Sequence, residues 1–317
     1  MDSPSISNAP SNAQPTPTLN PAPTVAVIRS ENRRGAVAEA LALIAEEVRA
    51  KIAPGAILLP TVGPRESTST SAGVLSAVLD VLLALDPGED RQELTVASAA
   101  PRVFAGYRRL GYLKECQGRP VRFLDLERDA GVVVSGEDPM ARGRRRGPWL
   151  LCRSVISKAS RVSIAPFGAV AGSLDRHLRS ALHPSGRQDL SRLAERSRLL
   201  RLCLPGLSLI EGPTGWSRRR VLAVSGTDPL AVEAVAATIL GRQDRLSASL
   251  PAAEAAGLGI ADLDRINLVG DPISTPGRSA SRHPGDGLRV DPGQPGSVRR
   301  SGSVAEARSE AARGGSS

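Results

Sequence analysis

Short apolar runs alternate with stretches of helical spacing from residue 24 to residue 269. Residues 24–28 (TVAVI) read as a strand. Residues 36–50 set Val37, Leu41, Ile44 and Val48 on one face with charges between them, which predicts an amphipathic helix. Pro54-Gly55 punctuates it, and residues 56–59 (AILL) read as a buried strand. The same reasoning predicts a helix over 73–85, a strand over 93–97, a helix over 103–116 broken at Gly111, and a strand over 121–124. Residues 130–150 carry Arg142, Arg144, Arg145 and Arg146 among glycines and read as an exposed loop. Strands follow at 161–164, 207–210, 220–224 and 265–269. Helices are expected at 174–182, 188–202, 229–240 and 247–256. The β-α-β-α-β-α-β order of the first half predicts an α/β fold, a mostly parallel sheet flanked by helices.

Composition sets the limits. Residues 1–24 and 272–317 are rich in Ser, Pro, Gly, Asn and Arg and nearly free of apolar residues. They are expected to be disordered tails around a domain over 25–271, because they cannot bury enough surface to offset ordering entropy. No run of 18 apolar residues exists, so no membrane partner is expected. The N-terminus shows no charged-then-apolar leader, and Cys116, Cys152 and Cys203 are widely spaced; both point to a cytoplasmic protein. That cysteine spacing also gives no ligand set for an iron–sulfur cluster or structural zinc. The net charge is +9, but Arg outnumbers Lys 38 to 3, a bias typical of GC-rich, bacterial coding and weak as evidence for anion binding. With two Trp, two Tyr and three Phe, stacking surfaces for nucleic acid are scarce.

Several residues could carry chemistry, each with a plainer reading beside it. Asp228, before Pro229, could be a ligand or base at the C-terminal edge of the sheet, or only the cap of its helix. Glu211 opens Glu211-Gly212-Pro213-Thr214-Gly215 after a strand. It is the preferred site element, with Gly212 allowing close backbone approach to a ligand; the alternative is an ordinary turn. Ser67 and Thr68, in a Ser/Thr run before a helix, could hold phosphate or carboxylate, or simply cap. Arg176 and His177, beside Asp175, could clamp charge and move a proton, or form a plain helix face. Glu233 lies five residues beyond Asp228, about 140° around the helix, so the two cannot converge on one ligand. An ion-paired or solvent-facing side chain is the plainer expectation for Glu233. The cysteines are expected to serve as small apolar residues.

Residues 221–241, VLAVSGTDPLAVEAVAATILG, resemble the closing motif of the domain-of-unknown-function 362 family, Ser/Gly-x-Asp-Pro-x-Ala-x-Asp-x-x-Ala-x-x-x-x-Gly. Other segments follow in the family's order: VAVIRSENRRGAVAEALALI, KIAPGAILLPT, STSTSAGVLSAVLDVLL, FAGYRRLGY, FGAVAGSLDRHLRSALH and EAAGLGIADLDRINLVG. The resemblance spans residues 25–271. Leu59-Pro60-Thr61 stands where the family has Lys-Pro-Asn, so the resemblance makes Thr61 a substrate-binding candidate. Ala165-Pro166 replaces Lys-Asn, and Glu211 and Glu233 replace aspartates. Loss of those lysines implies either a divergent small anionic substrate or a binding module without chemistry. Three functions are therefore expected in order: an enzyme or relic enzyme on a small anionic molecule, a ligand-binding or regulatory module, and nucleic-acid association through the arginine clusters, which is disfavoured. Cofactor, metal requirement and oligomeric state are left open.

Overall fold

The computed structural model describes residues 21–85, 92–134, 149–167, 177–179, 181–182, 199–213, 220–242 and 249–273. Residues 1–20 and 274–317, most of the two expected tails, lie outside them, as do Arg142–Arg146, Asp175, Arg176, Thr214 and Gly215.

Eight strands form one sheet: β1 (Thr24–Ser30), β2 (Ile57–Pro60), β3 (Leu94–Ser98), β4 (Val121–Asp125), β7 (Arg161–Pro166), β8 (Leu207–Pro213), β9 (Val221–Gly226) and β10 (Asn267–Gly270). Their order is β10-β1-β9-β8-β7-β2-β3-β4. Every ladder is parallel except the two made by β9, which runs against both β1 and β8. The fold is α/β, as the alternating pattern predicts.

Side chains of a strand alternate between faces, and β2 divides the core accordingly. Leu58 joins the cluster of Val37, Leu41, Leu75, Leu79 and Tyr107. This is the face of helices α1 (Arg33–Leu43), α2 (Ala45–Lys51), α3 (Ala72–Leu85), α4 (Val103–Arg109) and α5 (Tyr112–Glu115). Ile57 and Leu59 join Leu151, Val155, Leu178, Leu199 and Cys203 on the other face. There α7 (Pro229–Ile239) also covers Val25, Val27, Ile210 and Val224. With both faces covered, the central strands read as continuous apolar runs.

Two local expectations change. The helix expected over 36–50 starts at Arg33, capped by the Asn32 side chain on Gly35 N–H. It breaks at Ile44, whose φ of −116° and ψ of 19° divide α1 from α2. The expected loop over 130–150 is flanked by an antiparallel pair, β5 (Gly131–Val134) with β6 (Trp149–Cys152), and β6 leads into α6 (Arg153–Ile156). Its valines were outweighed in the sequence by the glycines and arginines between them. The break at Gly111 is as expected: φ is +78° there, between α4 and α5.

Candidate functional site

Strand direction and connection side locate the crevice. After β2 the chain passes to α3 on one face. Between β7 and β8, Leu178, Leu199 and Cys203 pack on the opposite face. Adjacent parallel strands β2 and β7 thus send their connections opposite ways, which makes the edge beyond their C-terminal ends the topological switch point at which open α/β sheets bind ligands.

Thr61 is at that edge. Its backbone N–H donates to Ile164 O at 3.0 Å, and its hydroxyl and that of Thr70 converge on the same carbonyl at 3.3 and 3.0 Å. The loop onward is bonded to itself. Ser69 Oγ accepts from Gly63 N–H at 2.9 Å and donates to Arg65 O at 2.7 Å. Thr68 Oγ1 donates to Arg65 O at 3.0 Å. Arg109 donates to Gly63 O at 2.6 Å and to Pro64 O, and Tyr112 donates to Thr70 O at 2.6 Å. The expected hydroxyl cradle is therefore mostly committed to loop structure. Ser67 and Thr68 are exposed in the short 3-10 turn Glu66–Thr68, not at the start of α3.

Glu211 sits one strand further, paired in register with Pro166 of β7 and Ala223 of β9. Its side chain is 2 % exposed. Oε2 lies 3.3 Å from Arg33 Nε and makes no hydrogen bond, so that contact is electrostatic. Arg33, on the first turn of α1, is 39 % exposed and reaches the carboxylate from the solvent side. Burial pushes the Glu211 carboxyl up from 4.5 to about 7, against the opposing pull of Arg33 and of the Ser71 backbone N–H. A carboxyl held there exchanges its proton near neutrality, as a general acid or base must. Gly212 does not offer its backbone to a ligand: the place of a Cβ is taken by Phe167, whose own Cβ would be 3.1 Å away.

The remaining candidates lie elsewhere. Asp228 was expected at the same edge, but β9 runs antiparallel. Gly226, the last residue of β9, pairs with Val25 and Ser208 near the starts of β1 and β8, so Asp228 stands at the N-terminal edge of the parallel strands. Oδ1 accepts from Leu230 and Ala231 N–H at 2.9 and 3.0 Å, and Oδ2 from Ile260 N–H at 3.0 Å. It caps α7 and latches the Gly257–Ile260 segment to it. A Cβ on Gly259 would fall 2.2 Å from Oδ1. Burial raises the Asp228 carboxyl despite these three donors.

His177 is also distant from Glu211. It is buried, with Nε2 2.5 Å from Cys203 O and, among the described residues, no hydrogen bond to Nδ1. Burial lowers it from 6.5 to about 4, and the nearby Arg161 lowers it further, while the Cys203 carbonyl opposes. A buried neutral imidazole at that value is a poor proton carrier at pH 7. Arg161 opens β7, whereas Glu211 pairs with Pro166 at its end, roughly 16 Å along at ~3.3 Å per residue. Glu233 is buried in α7 rather than facing solvent.

Sequence reasoning missed Arg33 and Tyr112. Arg33 had a usable signal: it follows directly on the end of a parallel strand, where chains turn toward a ligand. Among the described residues, no group of three His, Cys, Asp or Glu could hold a metal ion, and no helix is long and apolar enough to cross a membrane. Cys116, Cys152 and Cys203 are buried and unpaired with one another. No protein-family model and no curated protein matches the chain.

Proposed function

We propose that the chain binds a small anionic molecule in the crevice between β2 and β7, and that Glu211 moves a proton on it. The observation that carries this reading is a buried carboxylate, at the ligand-binding edge of a parallel sheet, facing one half-exposed guanidinium. Arg33 anchors the anion; Glu211, poised near neutrality, is the acid or base. Membership of the domain-of-unknown-function 362 family, as a divergent member, is part of the proposal. Its support is that the family-like segments around Leu59-Pro60-Thr61, Ser67–Ser71 and Glu211-Gly212-Pro213 meet at this one edge.

A second reading, a binding module that leaves its ligand unchanged, is favoured by Leu59 at the family's lysine position. One experiment separates them. The full chain is screened by thermal shift against phosphates, nucleotides, carboxylates and divalent cations, and the ligand is then recovered. A ligand at 100 times its Kd adds about 2.7 kcal/mol, and each kcal/mol moves the midpoint of a domain this size about 2–4 °C. A shift with anions that is lost in Arg33→Gln, with the ligand chemically altered, fits the enzyme. The same shift with the ligand intact fits the module. No anion shift, or one untouched by Arg33→Gln, overturns both.

A further inference from the structure

The Glu211–Arg33 pair cannot serve an incoming anion without changing. Arg33 meets Glu211 only through Nε, and among the described residues its two terminal nitrogens take no other partner. They form the end of the fork that binds carboxylate, phosphate or sulfate. An anion drawn there competes with Glu211 for the same positive charge. Among the described residues Glu211 has no other cation to turn to. Oε2 has no hydrogen bond among the described residues, and its neighbours in register, Pro166 and Ala223, are uncharged. From α5 it faces Tyr112, whose phenol burial keeps protonated and whose hydroxyl is already spent on Thr70 O. From the start of α3 it meets only the Ser71 N–H. An ionised carboxylate that loses the one cation described beside it while 2 % exposed is strongly disfavoured.

We infer that Arg33 is a two-position group: it pairs with Glu211 in the empty crevice and turns to a bound anion as Glu211 takes up a proton, so that each anion enters with one proton. This rests on the crevice being an anion site. It adds that occupancy itself raises the protonation of Glu211, completing its arming as an acid when substrate is present. By reciprocity the proton must strengthen anion binding as much as the anion strengthens proton binding.

The test is calorimetric titration of the full chain with sulfate, which does not itself titrate near neutrality, from about pH 6 to about pH 9, in buffers of different ionisation enthalpy. Above the Glu211 midpoint, affinity should fall about tenfold per pH unit and proton uptake should approach one per sulfate. In Glu211→Gln both dependences should vanish while binding persists. Sulfate bound equally well across the range with no proton uptake would overturn the coupling and leave the anion site standing. No binding at any pH, or binding unaffected by Arg33→Gln, would overturn the site as well. The wild-type proton count alone decides the coupling if the Gln variant fails to fold.

Discussion

The two edges of the sheet treat a carboxylate, half-buried at one and buried at the other, in opposite ways. At the N-terminal edge Asp228 meets three backbone N–H groups, two from its own helix and one from Ile260. At the C-terminal edge Glu211 meets one N–H and one movable side chain. The first has its lone pairs committed to holding the chain in place. The second is incompletely satisfied, and its strongest partner is half in solvent. Buried polar groups are normally satisfied, and exceptions mark places where stability has been traded for something else.

The contrast is tested most strongly at Asp228. Asp228→Ala leaves three N–H groups without their acceptor and should cost about 2–4 kcal/mol in denaturant unfolding. A cost below about 1 kcal/mol would mean that water replaces the carboxylate and that the latch is not structural. Glu211→Gln should match wild type near pH 4.5 and exceed it at pH 7, since the neutral amide never has to bury a charge.

The pH dependences should then carry opposite signs. Glu211 is raised, so its contribution is fully present below about 4.5 and is lost as pH rises toward about 7. Glu211→Gln should remove that fall, on the order of a few kcal/mol at most given the exposure of Arg33. His177 is lowered, so its contribution is present above 6.5 and is lost as pH falls toward about 4. His177→Gln, which keeps a donor for Cys203 O, should flatten that acid loss. Stability against pH, measured by chemical denaturation for each variant, checks both; matching slopes in variant and wild type would refute the assignment. The smallest effect belongs to exposed Ser67. Ser67→Ala should change stability by less than about 0.5 kcal/mol and leave sulfate binding unaltered.

Much of the architecture was legible in the residues, because a sheet buried on both faces writes its strands as apolar runs such as AILL and VLAVSG. Asp228-Pro229 declared a cap, and a cap it is. What periodicity does not carry is direction. Nothing in VLAVSG says that β9 runs backwards, and that one reversal moves Asp228 from the ligand edge to the other. Glu211 was legible as a polar residue closing an apolar strand. Its burial and its pairing with Arg33 were not, since they depend on β1 and β8 lying on either side of β9. His177 looked like chemistry by residue type alone; its burial beside Cys203 is a tertiary fact.

The central claim is that Glu211 carries the exchangeable proton of an anion site. The most direct measurement is the side-chain carboxyl carbon resonance of Glu211, identified by its absence in Glu211→Gln and followed through pH with and without sulfate. The account predicts a midpoint near 7 that moves upward when sulfate is present. A midpoint near the ordinary 4.5, unmoved by sulfate, would contradict it.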